Sequence, residues 1–298
     1  MTGQERQYFA RARNERTEHI VYGALARRER NPKNRALLEK MSSDEHAHYE
    51  FWRTLLPEGD RDAVRPDARQ IALMPIVRAV FGLTFAAKIL ESHEKNSIEE
   101  YERILPLIPE ARRAELARII EDERSHERSL LAEIKERRVS YLGFVALGLS
   151  DAIVEITGVH AGFLGVTGST LIAGIAGVIV GFSAAISMGA AAYLQAKQDP
   201  AIQPIPSAFI TGSTYLCSVI FLALPYFLIR TMIVAFAISS TVGLLLLAAF
   251  TFYGAVVFDR RFIREFGESA SLMMGTAGAT YLLGAAVGYA FHVNSASF

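Results

Sequence analysis

Residues 42–52 read SSDEHAHYEFW, and they set Glu45 three residues before His48. Residues three apart on a helix share a face. The stretch therefore presents a carboxylate and an imidazole side by side, either to a metal ion or to solvent. Its repetition decides between the two. Residues 121–130, EDERSHERSL, set Glu123 three residues before His126. Glu15 stands 30 residues ahead of Glu45, and Glu91 stands 32 residues ahead of Glu123. The same constellation occurs twice: a Glu, a gap of one helix and a turn, then Glu-x-x-His.

The surrounding chain supplies the helices. Residues 4–30, 33–55, 75–104 and 108–138 mix apolar and charged residues at helical spacing, with no sustained alternation of period two. NPKN breaks the first pair and PLIP the second. LPEGDRDAVRPDARQ, rich in Pro, Asp and Arg, is long enough to cross a bundle. Two helical hairpins joined by one long crossover form a ferritin-like four-helix bundle. A Glu on each of two helices plus Glu-x-x-His on each of the others is the carboxylate two-metal arrangement of that fold.

Charge divides the chain. Residues 1–139 hold 26 of the 31 Lys and Arg, 25 of the 31 Asp and Glu, and five of the seven His. The rest is dominated by apolar runs. A membrane span needs about 20 mostly apolar residues. Five stretches qualify, at about 141–165, 169–195, 207–229, 232–257 and 270–291. The fold class is thus all-α: a four-helix bundle over 1–138, then a five-span transmembrane domain over 139–298. Lys197 falls between the second and third spans. Arg260, Arg261 and Arg264 fall between the fourth and fifth, and RRVSY precedes the first. Positive residues favour the inner side, which places the N-terminal domain in the cytoplasm and the C-terminus outside. MTGQERQYFARARNERTEH has no apolar core of a signal peptide.

The chemistry of the paired motif is that of divalent cations. Several carboxylates offset the charge of two such ions, and each imidazole adds one nitrogen, a set suited to iron, manganese or zinc. Glu94 adds a carboxylate three residues after Glu91, and Glu18 bears the same relation to Glu15. Glu15 is preferred as the first-helix ligand because Tyr22 follows two turns later on its face; Glu18 stays as the alternative. His19, His46 and His93 lie at other helix angles and read as surface or supporting residues. The single cysteine, Cys217, excludes a disulfide within the chain and a thiolate metal site.

In the first span, GLSDAIVEITGVH puts Asp151 and Glu155 four residues apart on one helix face. A carboxylate in mid-membrane costs on the order of 2.5–3.5 kcal/mol on insertion scales, so two on one stripe point to an ion or proton path. Met188, in SAAISMGAAAYL, offers a thioether to a soft or borderline cation. His160 lies near the outer end of its span. No Gly-rich phosphate loop suggests ATP, and no basic patch with interleaved aromatics suggests nucleic acid.

Two family resemblances cover almost the whole chain. Through NERTEHIVY, DEHAH, ESHE and DERSH, residues 1–138 resemble the rubrerythrin branch of ferritin-like proteins. Through LGLSDAIVEITG and SAAISMGAAAYL, residues 139–298 resemble the vacuolar iron transporter family. The combination resembles prokaryotic membrane-bound ferritin-like proteins, which implies an integral protein of the cell membrane. The resemblance implies that Glu15, Glu45, His48, Glu91, Glu94, Glu123 and His126 hold a di-iron site. It makes Asp151 and Met188 the metal path, with Glu155 a companion. It also implies a homodimer in a lipid bilayer that exports Fe²⁺ or Mn²⁺ in exchange for protons. The alternative reading is a membrane-anchored di-iron ferroxidase or peroxidase whose spans only hold it in place. Three features depart from the relatives. There is no Cys-rich iron domain to deliver electrons, the loop between the second and third spans is about ten residues, and Ala192 stands where relatives carry an acid before the Tyr.

Overall fold

The structure is a computed structural model describing the backbone of residues 2–133 and 137–291; the side chains of 92–96, 127–133 and 137–138 lie outside the description. The described residues are helical, without strands, and fall into two compact units, Met1–Val139 and Ser140–Phe298.

In the first unit, α1 (Gly3–Arg28) opens with a capping box, in which Thr2 accepts from the Glu5 amide and Glu5 accepts from the Thr2 amide. Asn31 caps α2 (Pro32–Thr54), whose first residue is a proline with φ already set for a helix. The two helices pack as a hairpin. The crossover then carries a single short turn, α3 (Glu58–Arg61). It is fastened along α1: Arg16 donates to the Val64 carbonyl, and the Asp67 amide donates to the Thr17 hydroxyl at 2.9 Å.

The third long helix differs from the sequence expectation. It begins at 68 rather than 75, because Asp67 accepts from the Arg69 and Gln70 amides and starts a helix there. It is also two helices, α4 (Ala68–Phe81) and α5 (Leu83–Ile104), broken at Gly82. Gly82 sits at φ 95°, ψ 170°, a region only glycine enters readily. A 3₁₀ turn over Leu105–Leu107 leads to α6 (Glu110–Glu133), and a short α7 (Arg137–Ser140) follows.

Two apolar clusters fill the bundle. One gathers Tyr8, Ala12, Phe51, Trp52, Tyr101, Leu116 and Ile119; the other gathers Val21, Tyr22, Leu25, Leu38, Met41, Leu83, Ala87 and Leu90. Glu15 falls between Ala12 and Val21 on α1, and Glu45 between Met41 and Tyr49 on α2. The ionisable groups thus form a polar belt between two dry layers.

The second unit has five long helices: α8 (Leu142–Val166), α9 (Thr170–Ala196), α10 (Pro204–Leu228), α11 (Met232–Phe258) and α12 (Phe262–Ala290). Each is long and apolar enough to cross a membrane, with mean hydropathy between 1.3 and 2.4 over its most apolar window. The five fit a multi-pass membrane protein. The last begins eight residues before the apolar run read from the sequence, because FIREFGES continues the helix; Arg264 pairs there with Glu268, four residues on, at 2.9 Å. Large apolar side chains such as Ile179, Phe209, Leu245 and Leu282 face outward, as lipid requires and water does not.

Glycines bring these helices into backbone contact. A Cβ on Gly284 of α12 would lie 2.1 Å from the Gly162 carbonyl oxygen of α8, and one on Gly165 2.5 Å from that of Tyr281. A Cβ on Gly148 of α8 would meet the Thr211 carbonyl of α10 at 2.4 Å. Between α9 and α10, Gly189 and Gly212 each approach a partner carbonyl, of Ala208 and Ala185, at 3.1 Å from the Cβ position. Small residues at helix contacts are what packing in lipid favours.

Candidate metal centre

The repeated motif folds as its spacing requires. α1 carries Glu15, α2 carries Glu45 and His48, and α6 carries Glu123 and His126; all five side chains are buried. One ligand atom from each of Glu15, Glu45, His48 and Glu123 lies within 4.8 Å of the others. His48 Nδ1 is 3.4 Å from Glu45, 3.3 Å from Glu123 and 3.9 Å from Glu15. His126 Nδ1 is 3.4 Å from Glu45 and 3.9 Å from Glu123. The two imidazole centroids stand 6.1 Å apart.

These approaches are longer than charge-assisted hydrogen bonds, which run near 2.7–2.9 Å. Both oxygens of Glu45, both nitrogens of His48, and one oxygen each of Glu15 and Glu123 are buried without a hydrogen-bond partner among the described residues. Buried polar atoms are normally bonded. Orphaned carboxylate oxygens converging with the Nδ1 of His48 have the donor chemistry of a divalent-cation site.

Outer contacts orient the ligands. His126 Nε2 lies 2.9 Å from Asp44 of α2, and His48 Nε2 lies 3.7 Å from Asp122 of α6. Each imidazole therefore turns Nδ1 inward and Nε2 towards an aspartate on the opposing motif. At hydrogen-bonding distance, as between Asp44 and His126, such a carboxylate fixes the ring and raises its basicity as a ligand. The buried Tyr101 hydroxyl of α5 donates to Glu15.

Protonation follows from crowding. Burial first, then the Glu45 and Glu123 carboxylates, push Glu15 well above the usual carboxylate range. Burial and Glu45 raise Glu123 as well. For Glu45 burial acts upward too, but His126 and His48 outweigh it and hold this carboxylate low. Burial opposes charging of the imidazoles, yet Glu123 and Glu45 raise His48 well above its ordinary value, and Glu45 and Asp44 raise His126 to about 9. Metal ligation requires these ligands to give up their protons.

The remaining expected ligands lie as follows. Glu91 is buried but outside the four-residue group; its carboxylate pairs with Lys88 at 2.7 Å. Glu18 is buried and also outside that group. The side chains of Glu94 and His93 fall outside the described residues. His19 is half-buried against the Ser42 carbonyl at 2.6 Å, and its ring lies 4.8 Å from that of exposed His46. Tyr22 is buried in the apolar core; the tyrosine that bonds Glu15 is Tyr101.

Sequence reasoning missed Asp44, Asp122, Tyr101 and Lys88. A signal for the aspartates was present: each Glu-x-x-His is preceded by Asp, so the repeat is Asp-Glu-x-x-His. Nothing in the sequence pairs Tyr101 with Glu15, 86 residues away.

The second unit holds a separate polar feature. Half-buried Asp151 and Glu155 of α8 line an open groove with Val180, Ser183, Ser187 and Met188 of α9. The Tyr215 hydroxyl of α10 donates to Glu155. His160 is fully buried, its ring tilted 35° against that of Tyr226 at 4.0 Å between centroids, and a Cβ on Gly177 would press against its Nε2.

Residues 10–134 match the rubrerythrin family. No curated protein and no solved structure matches the chain.

Proposed function

We propose, on the premise that the N-terminal unit is a rubrerythrin/ferritin-like domain with a buried Glu/His cluster, that this protein exports divalent iron, or manganese, across the cell membrane of a prokaryote. The N-terminal domain stands in the cytoplasm, where Glu15, Glu45, His48, Glu91, Glu94, Glu123 and His126 collect the metal. When bound there, two irons supply one-electron redox chemistry towards oxygen or peroxide. The chain's own residues do the rest: Glu45 offers an ionised carboxylate between two imidazoles, Asp44 aims the His126 ring while Asp122 faces that of His48, and Tyr101 holds Glu15.

The observation that carries the transport reading is the groove of Asp151, Glu155 and Met188. Carboxylates in mid-span are costly and face paths or partners rather than lipid. A mere anchor has no use for them. In export, Asp151 and Met188 take the cation as substrate, and Glu155 takes the cation or a counter-proton. The groove is open on the flank of its unit, so a second copy covering it accounts for two acids and two serines that hydrocarbon does not solvate. The resemblance of LGLSDAIVEITG and SAAISMGAAAYL to vacuolar iron transporter motifs supports this reading.

The test is flux of Fe²⁺ and Mn²⁺ into or out of liposomes under an imposed pH gradient. Gradient-dependent flux that vanishes in Asp151→Asn is expected. Equal flux in the mutant would overturn the transport path. The second reading, a membrane-anchored ferroxidase or peroxidase, is favoured by the buried cluster itself. It predicts no flux at all, together with iron oxidation that Glu45→Ala abolishes.

A further inference from the structure

Lys88 is the one lysine or arginine among the buried polar side chains of the described residues, with 6% of its surface exposed. It stands on α5 between Ala87, in the apolar core, and Ile89, packed against that core. One turn later on the same helix comes Glu91, itself 3% exposed, with its carboxylate 2.7 Å from the Lys88 ammonium. A buried ammonium is tolerated when paired and is strongly unfavourable once its partner is taken away.

The pairing divides the cluster unequally. Among the described residues, Glu15, Glu45, His48 and Glu123 converge, whereas Glu91 stands outside that group with its carboxylate paired to Lys88. Three converging carboxylates more than neutralise one divalent cation and fall short of neutralising two. A second cation restores the balance by drawing Glu91 in. Doing so leaves a buried Lys88 ammonium without its carboxylate. Binding the second cation without Glu91 leaves excess positive charge in the same buried belt. Either route penalises the second cation and spares the first.

We propose that Lys88 is a positioning residue that withholds Glu91 from the cluster, so that the centre holds one divalent cation tightly and a second one weakly and exchangeably. This rests on reading the cluster as a two-cation centre. In a domain that collects metal for onward movement, the weakly held ion is the one that leaves.

The experiment is a calorimetric titration of the full-length protein in detergent with Mn²⁺ or Zn²⁺. All samples carry Asp151→Asn and Glu155→Gln, so that the groove contributes no heat. The parent protein is expected to show a tight step followed by a weaker one. Lys88→Met is expected to tighten the second step by about tenfold or more, leaving the first unchanged. Lys88→Arg, which keeps the charge, restores the parental pattern, and Glu91→Gln removes the second step. Two steps of equal affinity in the parent, or a Lys88→Met titration identical to the parent, would overturn the inference while leaving the two-cation centre intact. Absence of any binding in the parent overturns the two-cation reading itself. Should Lys88→Met fail to fold, a crystal structure of the parent with two cations bound decides the matter. Separation of Lys88 from Glu91 is expected; an intact pair beside two cations overturns the proposal.

Discussion

His126 Nε2 lies 2.9 Å from the Asp44 carboxylate, so the imidazole of one Glu-x-x-His motif is aimed by the residue that introduces the other. A ring N–H donated to Asp44 leaves Nδ1, 3.4 Å from Glu45, to face a cation. The reverse pairing, His48 with Asp122, is longer at 3.7 Å and more exposed. Asp44→Asn is therefore expected to weaken cation binding by roughly 10–100-fold, and Asp122→Asn by less. Titration with Zn²⁺ checks both; an Asp122 effect equal to that of Asp44 contradicts the geometry.

Tyr101→Phe removes the hydroxyl that donates to Glu15 and leaves a buried carboxyl without that donor. A loss of about 1–3 kcal/mol is expected for the metal-free protein. Saturating Zn²⁺ should recover part of it, because a bound cation engages Glu15 directly. Denaturant melts with and without metal measure the difference. An unchanged midpoint in the metal-free state would contradict the bond.

The pH dependence of the metal-free protein follows from the raised groups. His126 is lifted from about 6.5 to about 9, so the folded state holds its proton more firmly than the unfolded state does. That contribution, on the order of 3 kcal/mol at most, is complete below about pH 6.5 and is lost as pH rises through about 9. Glu15, raised well above the usual carboxylate range, has the same sign: its contribution is full in acid and is lost as pH climbs through its raised value. Metal-free protein should thus melt at lower temperature at pH 9 than at pH 6.5. Cation affinity should rise over the same interval, since binding expels these protons. A melting temperature that is flat or rising in chelator would refute the assignment.

Gly284→Ala is expected to destabilise the second unit, because its Cβ would lie 2.1 Å from a backbone oxygen of α8 that has nowhere to go. A cost of about 1–3 kcal/mol or more applies to such overpacking. Gly278→Ala, on the same helix with open space around it, should be silent. Thermal stability in detergent separates the two; equal behaviour would refute the contact.

Much of this was legible in the residues. Glu45 with His48 and Glu123 with His126 announced themselves because the three-residue step is the helix's own and occurs twice. The spans were legible because lipid demands unbroken apolar length. What escaped notice lies across the bundle or depends on backbone conformation. Asp44 neighbours a ligand in sequence but serves a ring on another helix. Tyr101 meets Glu15 only after four helices assemble. Lys88 looks like any surface lysine until α5 turns it inward beside Glu91. Gly82 hid a helix break, since a glycine within apolar spacing does not disclose that its φ is positive.

The glycine contacts of the second unit bear on how it moves. α8 is seated against α12 at Gly162, Gly165 and Gly284, and α9 against α10 at Gly189 and Gly212. Helices joined backbone to backbone do not slide or roll past one another without losing the contact. The four group as two close-packed pairs, which meet each other where Gly148 approaches Thr211, where His160 fills the space beside Gly177, and where the Tyr215 hydroxyl donates to Glu155. Asp151 and Glu155 belong to one pair and Met188 to the other. The spacing between the acids and the thioether is thus set along the seam where the two pairs meet.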